Sequence, residues 1–418
     1  MRRVGVRERR ARLGARHRLT SHASTVEEAA GAVVGLHSSD PATVFLSSWA
    51  RVDGFEPADL DDALYRRRSL VRMIGMRRTL FVVPVELAPV MHEACTKGLI
   101  PAQRARLVRM LEQQDVAPSG RGGAWLERVA AETLAAIAAR GEATARELTA
   151  DVPRLGARLT LGEGKSWGGT MGVSTRVLFL LATEGLIVRT RPLGAWTSGQ
   201  YRWATTEHWL GGPLREVDHT EACSELLGRW LSSFGPATMT DIRWWTGWTA
   251  AVARTTLGAI DAVEVRLAEG TGFAVADDLE RAHDVDPWVA LLPGLDPTAM
   301  GWKERGWYLG DHASDLFDSN GNAGPTVWAN GRVVGAWAQT EAGEVVVEPF
   351  ARLDAATRAR LDAERGRLTG WLGDVRIRPR FGTPLAKELA MRSGEASRRR
   401  SAISARPVGP RGTLPEAG

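Results

Sequence analysis

A histidine, a serine and an aspartate lie within four consecutive residues of the stretch VVGLHSSDPATVFLSSWARV, residues 33–52. Each of these side chains can hydrogen-bond a water molecule, and a neutral imidazole can also accept a proton near neutral pH. His37 and Ser39 are therefore the candidate catalytic residues. Asp40 precedes Pro41, a pair typical of a helix N-cap and first helical position, so its assignment stays open between catalysis and capping.

The flanking residues predict the elements that position this motif. Thr25 and Glu28 have the spacing of a capping box, which predicts a helix that runs through the apolar residues before the histidine. A second helix is predicted directly after the motif, through Trp49. The polar residues then sit in a tight turn between two helices, where backbone amides favour an oriented water or a negative charge. In the alternative interpretation, the serine and the aspartate serve only the turn.

Three segments share the sequence pattern of a winged helix. Residues 141–151 (GEATARELTAD) and 235–247 (GPATMTDIRWWTG) each place Gly, Ala and Thr before a helix with apolar periodicity, about 95 residues apart. Each segment is followed by another helix and then by alternating apolar residues with Gly, which indicates a hairpin. A further copy precedes them and ends in a hairpin that turns near Arg77 and Arg78.

The pattern changes to short strands after about residue 285. Asn330-Gly331 between two apolar runs is a strong hairpin signal, and residues 351–371 are typical of an amphipathic helix. The fold class is therefore α+β, with three tandem winged-helix modules and a C-terminal β-rich domain. The predicted boundaries are 1–115 for the module with the candidate site, 116–215 and 216–284 for the second and third modules, 285–390 for the β-rich domain and 391–418 for a disordered tail without periodicity.

The composition permits a nucleic-acid partner and shows no membrane segment. At 418 residues and 44% hydrophobic, the chain can bury a large core, and its net charge of +5 at pH 7 suits an acidic ligand without proving one. No apolar run approaches the length of a membrane span, which predicts a cytoplasmic protein without a membrane partner. Cys95 and Cys223 are too far apart in the sequence to form a paired metal motif, so neither a metal nor another cofactor is expected.

Five sequence blocks occur in an order found in a known family. The blocks are GLHSSDP with the later WARV, MRRTLFVVP (76–84), GGTMGVSTRVLFLLATEGLIVRTRPLGAWTSGQYRW (168–203), FGPATMTDIRWWTGW (234–248) and NGRVVGAWA (330–338). In this order they resemble the bacterial AlkZ-like winged-helix DNA glycosylases, over about residues 10–390. The resemblance implies a monofunctional enzyme that hydrolyses the N-glycosidic bond of alkylated purines in double-stranded DNA. Relatives place Gln-x-Gln or Gln-x-Asp where this chain has His37 and Ser39.

The His-x-Ser motif bears on the implied reaction. An alkylated purine already carries positive charge and leaves without protonation, so the enzyme mainly stabilises the sugar and aims a water at its anomeric carbon. Neutral His37 could act as a general base, and the short Ser39 side chain suggests a wider pocket for bulky guanine adducts of genotoxic natural products, a DNA-repair and self-resistance role. The opposite interpretation is that the altered motif marks lost catalysis. None of the four lysines lies in the motif, so no covalent amine mechanism is expected.

Arginines and one tryptophan are the candidate DNA-contacting residues. Phosphate contacts by arginine bind DNA without reading its sequence, which suits a search for lesions. The alternative for each arginine is a solvated surface, and for the tryptophan a place in the core. The candidates are Arg51, Arg72, Arg77 and Arg78 around the motif, and Arg189, Arg191, Arg202 and the hairpin-tip residue Trp196 in the second module.

A second function class stays open from the sequence alone. A non-catalytic winged-helix DNA-binding protein or transcriptional regulator would be built from the same modules. Regulators usually bind palindromic sites as dimers, whereas tandem modules in one chain can enclose DNA as a monomer. The length of the chain and the number of modules favour the monomeric enzyme.

Overall fold

The computed structural model of the chain describes residues 1–162, 164, 168–282 and 285–392, so the predicted disordered tail lies outside these residues from 393 onward. The helices are α1 (Val6–Arg16), α2 (Val26–Ala32), α3 (Pro41–Trp49), α4 (Pro57–Asp61), α5 (Ala88–Met91), α6 (Ile100–Gln113), α7 (Gly122–Arg140), α8 (Ala145–Asp151), α9 (Val173–Thr183), α10 (Thr206–Leu210), α11 (His219–Phe234), α12 (Met239–Thr246), α13 (Ala250–Ala259), α14 (Gly306–Leu309), α15 (Ala313–Leu316), α16 (Ala355–Leu372) and α17 (Pro384–Ala390). None of these helices in the described part of the chain has both the length and the apolar character needed to cross a bilayer.

The strands form several small sheets rather than one large one. The strands are β1 (Arg2–Arg3), β2 (Leu36–His37), β3 (Leu70–Ile74), β4 (Leu80–Pro84), β5 (Ala143–Thr144), β6 (Arg158–Leu161), β7 (Gly169–Gly172), β8 (Ile187–Pro192), β9 (Tyr201–Thr205), β10 (Ala237–Thr238), β11 (Val263–Leu267), β12 (Gly270–Ala274), β13 (Val289–Leu292), β14 (Thr326–Ala329), β15 (Arg332–Gln339) and β16 (Val345–Pro349). Their orders are β2-β4-β3, β5-β9-β8, β1-β11-β12-β10, β13-β14-β15-β16 and β6-β7. The predicted mixture of helices and strands is therefore confirmed.

Three units of the chain are built in the same way, from helices, a two-residue strand and a hairpin. The first unit runs from α2 to β4, the second from α7 to β9 and the third from α11 to β12. In each unit the two-residue strand pairs with one strand of the hairpin. Thr144 and Thr238 each accept a hydrogen bond from the backbone amide three residues later, at 3.2 Å, and so start α8 and α12. The three predicted hairpins are confirmed; the β6-β7 hairpin was not predicted.

The first unit differs from its prediction just before the candidate motif. The Thr25 hydroxyl accepts a hydrogen bond from the Glu28 amide at 3.1 Å and starts α2 as expected. The helix then stops early, because Val34 and Gly35 adopt φ values of 55° and 116°, which are incompatible with a right-handed helix. His37 therefore lies on a short strand and not, as predicted, in a turn between two helices.

The N-terminal segment packs on the third unit, although the predicted first module began at residue 1. β1 pairs in parallel with β11. On α1, Arg9 forms an ion pair with Glu269 at 2.8 Å, and Arg12 forms one with Asp278 at 2.6 Å. Both arginines are buried. The chain thus starts at the third sheet and then passes to the unit that contains the candidate motif.

The part of the chain from β13 onward forms a four-stranded antiparallel sheet with helices beside it. Asn330 and Gly331 form the tight turn between β14 and β15, with φ values of 49° and 75°. Positive φ at both central positions is the geometry that favours Asn-Gly in two-residue hairpins, so the predicted turn is confirmed. The predicted helix over 351–371 is also confirmed, as α16.

Arg51, just after α3, is fully buried against residues that follow β13. Its guanidinium donates to both carboxylate oxygens of Asp296, at 2.9 and 2.7 Å, and to Thr298 Oγ1 at 2.8 Å. Ser47 Oγ donates to the same carboxylate at 2.6 Å, and His17 Nδ1 lies 2.8 Å from Thr298 Oγ1. Neither charged side chain of the pair has exposed surface. The prediction that Arg51 contacts DNA is corrected, because no phosphate can reach it.

Candidate active site

His37 lies on β2 opposite Phe81 of β4, and the two rings meet edge to face with centroids 5.1 Å apart. Only 4% of the histidine is exposed. Its Nδ1 accepts a long hydrogen bond of 3.4 Å from the Ser39 backbone amide. Among the described residues, neither His37 Nε2 nor the Ser39 hydroxyl has a hydrogen-bond partner, and neither is a fully enclosed atom. These two atoms are the groups of the motif that can receive a ligand.

The His37 ring is neutral at physiological pH. Burial, and to a lesser extent the positive charge of Arg77, lower the pKa of His37 to about 3. Because Nδ1 accepts the Ser39 amide hydrogen, the ring proton lies on Nε2, which can donate a hydrogen bond to a water. General bases work best with a pKa near the working pH. His37 is therefore better suited to holding a water than to deprotonating it.

Asp40 is the N-cap of α3, and both oxygens of its carboxylate are engaged by backbone amides. The amide of Ala42 donates to Oδ1 at 3.0 Å, and the amide of Arg380 donates to Oδ2 at 2.8 Å. The Arg380 guanidinium also donates to the backbone carbonyl of Ser39 at 3.3 Å. Of the two assignments left open for Asp40, capping is confirmed, and the same carboxylate attaches the C-terminal segment to the motif.

Arg72 lies behind the motif and fixes its central residue. Its Nε donates to Ser38 Oγ at 2.8 Å, and Nη1 donates to the Tyr65 hydroxyl at 3.0 Å. The guanidinium lies 4.6 Å above the Tyr201 ring of the second unit. Only 2% of Arg72 is exposed. The predicted DNA contact is corrected for this residue as well, because its charge faces protein groups.

Two basic clefts each include an arginine that acts on the motif or contacts it. The first basic cleft has a volume of about 300 Å³ and is lined by Arg77, Arg78, Gln103, Arg106 and Arg176, with apolar residues of α6 and α9. The second basic cleft has a volume of about 1070 Å³, and its arginines are Arg140, Arg146, Arg176, Arg189, Arg202 and Arg380. His37 and Ser39 line neither cleft directly. Arg77, whose charge acts on His37, and Arg380, which bonds Ser39, connect the motif to the first and second clefts respectively.

The predicted arginines of the second hairpin have different surroundings. Arg189 is largely buried between the rings of Tyr201 and Trp203, and burial first of all lowers its pKa to about 10, so it stays charged. Arg202 lies in the second basic cleft, 3.5 Å from Glu147. Arg191 forms an ion pair with Asp61 of the first unit at 2.9 Å. Arg189 and Arg202 therefore face the cleft, whereas Arg191 joins two units.

Trp196 was predicted at the tip of the second hairpin as a possible DNA probe. It is half-buried and packs between two aromatic rings of other units. Its ring centroid lies 4.7 Å from that of Phe45 on α3 and 5.8 Å from that of Trp371 on α16. In this arrangement the ring packs against protein, and the residue keeps part of its surface exposed. The alternative interpretation, a packing role, is the one that the structure bears out.

The comparisons with known proteins identify the family and a similar fold. The family model described as DNA glycosylase AlkZ-like matches residues 30–371. The chain belongs to the AlkZ-like DNA glycosylase family. A search of curated proteins gives no match. Among solved structures, the Streptomyces sahachiroi DNA glycosylase AlkZ is similar in fold, with a TM-score of 0.69 and 19% sequence identity, covering 90% of this chain and 99% of that one. Family membership makes this AlkZ-like protein a DNA glycosylase.

Sequence reasoning missed several basic residues of this AlkZ-like protein. Arg106 and Arg176 line the first basic cleft, and Arg380 lines the second. Arg176 and Phe179 lie on α9 outside its buried apolar face, and both line the two clefts. Helical periodicity could have placed Arg176 and Phe179 on one face, because they are three residues apart. No local signal marks Arg380, whose position depends on a contact with the motif 340 residues earlier.

Two buried histidines should lower the stability of the folded protein at acid pH. Burial is the largest cause that lowers the pKa of both His17 and His37 to about 3, whereas the unfolded value is about 6.5. Between these values the unfolded chain binds two protons that the folded chain does not, so stability is present above pH 6.5 and is lost as the pH falls. From pH 7.0 to 5.5 we expect the free energy of unfolding to drop by about 2.5 kcal/mol from these groups.

Urea unfolding at the two pH values measures this loss. His37→Gln removes one of these two groups and should remove about half of the loss that the two together cause. His208, which is exposed, provides the control, and His208→Gln should leave the pH dependence as it is in the wild type. An equal free energy of unfolding at pH 7.0 and 5.5 in the wild type would contradict the burial of the two rings as neutral groups.

Proposed function

We propose that this protein is a monofunctional DNA glycosylase that hydrolyses the N-glycosidic bond of alkylated purines in double-stranded DNA. The observation that carries the proposal is that the His37–Ser39 motif is linked through one arginine each to two clefts rich in arginine. Arg77 of the first cleft is close enough to lower the pKa of His37, and Arg380 of the second donates to Ser39. An acidic polymer bound in these clefts would place a nucleotide against the motif.

The arrangement supports attack by water rather than by an enzyme group. The bond between the alkylated base and the anomeric carbon breaks, and its electron pair leaves with the base, which becomes neutral. His37 Nε2–H would hold the oxygen of a water, and the free Ser39 hydroxyl would accept one of its hydrogens, leaving a lone pair directed at the sugar. As the new C–O bond forms, the water loses a proton through Ser39 to solvent. The product is a free base and an abasic site in an intact strand.

The substrate is proposed to be a bulky guanine adduct of a genotoxic natural product, with a role in DNA repair and self-resistance. Ser39 is shorter than the Gln or Asp that relatives place at this position, and its hydroxyl has no partner among the described residues. A shorter side chain leaves more room beside the sugar. The large second basic cleft, with about 1070 Å³, supports an extended ligand next to the motif.

The architecture is proposed to be three winged-helix modules in tandem, followed by a β-rich domain from about residue 285. The repeated order of helices, two-residue strand and hairpin in the three units supports this assignment. Because the arginines of both clefts come from different units of one chain, we propose that the protein binds DNA as a monomer. We further propose that it acts in the cytoplasm.

Base release is the experiment that tests the function. Purified protein is incubated with duplexes that carry either a small methyl adduct or a bulky adduct on guanine, and released base is measured by chromatography. Heat or alkali then cleaves abasic sites, so an intact strand before that treatment and a broken strand after it identify a monofunctional enzyme. We expect release from the bulky adduct. Absence of release from both adducts, with intact DNA binding, would favour the alternative of a non-catalytic DNA-binding protein.

A further inference from the structure

We propose that the first basic cleft binds one backbone phosphate of the damaged strand, with Arg176 and Arg106 as ligands that add to Arg77 and Arg78. The inference deepens the proposed function and rests on it, because it names the part of the DNA that this cleft would hold. It also assigns a role to two arginines on α6 and α9 that lie outside the motif and its hairpin.

The residues around this cleft are suited to an anion. Four arginines and a glutamine supply its polar groups, and no aspartate or glutamate lines it in the described part of the chain. Arg78 donates to Gln103 Oε1 at 3.3 Å, which leaves most of its guanidinium free. A volume of about 300 Å³ is large enough for a phosphate group.

The four arginines are close together without a compensating charge. Burial first, and then the charges of Arg106 and Arg78, lower the pKa of Arg176. Arg104, which lies on α6 with Arg106, shows the contrast, because it is paired with both Glu184 and Glu127. Like charges that are partly removed from water are unfavourable unless an anion lies between them. Binding a phosphate would therefore relieve repulsion that is present in the free protein.

The position of the cleft favours DNA over a free anion. The guanidinium of Arg77 lies 4.0 Å from the centre of the Trp244 ring, and its Nε is enclosed without a partner. It is held in place at the motif, so a phosphate bound there would be close to the target nucleotide. Arg176 lines the second basic cleft as well as the first, so the two clefts meet at this residue. A strand can continue from one into the other, which a small anion does not require.

The proposal is tested by binding to DNA duplexes in which single phosphates are replaced by uncharged groups. The wild type and Arg176→Ala are titrated against duplexes with a tetrahydrofuran abasic-site analogue, in which single phosphates near the analogue are replaced in turn by neutral methylphosphonates. At one position we expect the replacement to weaken wild-type binding about tenfold and to have little further effect on the variant. The slope of log affinity against log salt should fall by about one in the variant. Arg106→Ala should behave in the same way.

Three controls separate the possible outcomes. Arg360→Ala removes an exposed charge on α16 outside both clefts and should keep the wild-type response at every position. Arg176→Lys keeps the charge and should keep most of the salt slope, while thermal unfolding midpoints show that each variant is folded. Inorganic phosphate, compared with chloride at equal ionic strength, tests for a free anion.

The proposal is overturned if Arg176→Ala responds to every methylphosphonate as the wild type does. It is also overturned if inorganic phosphate stabilises the wild type but not the variant while the duplexes show no coupling, since the cleft would then take a free anion. The assay needs no base release, so a failure of the glycosylase proposal and a failure of the phosphate site give different results.

Discussion

His37→Ala should lower the rate of base release by about 100-fold or more while leaving DNA affinity within a few-fold of the wild type. The imidazole supplies the ring N–H of the motif, and alanine supplies no group that could position a water there. The ring makes no contact with the residues proposed to hold phosphates, apart from the effect of the Arg77 charge on its pKa. Single-turnover release and fluorescence anisotropy on the same duplex separate the two quantities.

His37→Gln is the matched variant for this prediction. Glutamine carries an N–H donor, and the family resemblance implies glutamine at this position, so we expect the variant to keep most of the rate. Because the position is buried, the thermal unfolding midpoint of each variant has to be measured beside the rate. A folded His37→Ala protein that releases base at the wild-type rate would show that the motif is not the catalytic site.

Arg51→Met should lower the free energy of unfolding by about 3 to 5 kcal/mol, the largest effect on stability that we expect from a single change. The substitution removes the bidentate partner of Asp296 and leaves a carboxylate without exposed surface and without its compensating charge. The energy lost is mainly the cost of a buried unpaired ion rather than the strength of the pair itself. Urea unfolding measures the difference.

Two comparisons show whether the buried charge is the cause. In Arg51→Met with Asp296→Leu, both charges are absent, and much of the loss should be recovered because no ion remains unpaired. Arg229 and Glu225 form a pair whose side chains are 45% and 41% exposed, and Arg229→Met should cost less than about 1 kcal/mol. An Arg51→Met protein as stable as the Arg229→Met protein would mean that the Asp296 carboxylate is solvated or protonated.

Features of the fold that depend on neighbouring residues could be predicted from the sequence. The hairpins and the helix starts at Thr144 and Thr238 follow from turn and capping chemistry within a few residues. The early end of α2 could not, since it results from positive φ at Val34, a residue with no intrinsic preference for it. The prediction of a turn between two helices around His37 was therefore wrong, because this residue lies on a strand. The prediction that a helix starts directly after the motif is confirmed.

The environment of the site depends on contacts between residues far apart in the sequence. Arg51 follows an apolar run and Arg72 lies within one. Because both side chains are charged, the sequence suggested that they lie at the surface. Their burial depends on Asp296, 245 residues later, and on Tyr201 of another unit. Trp196 was placed correctly at the tip of a hairpin, but the rings that enclose it come from α3 and α16. Such pairings carry no local sequence signal.

The packing of the second hairpin tip has a consequence for how a lesion is admitted. Because Trp196 packs between Phe45 and Trp371, the hairpin tip is held against two other parts of the protein in the absence of DNA. The side of the second basic cleft that Leu193 and Gly199 of this hairpin line is then already fixed before a ligand binds. Selection of a damaged nucleotide would then depend on the preset width of this cleft. Little conformational entropy of the hairpin would be lost when the nucleotide binds.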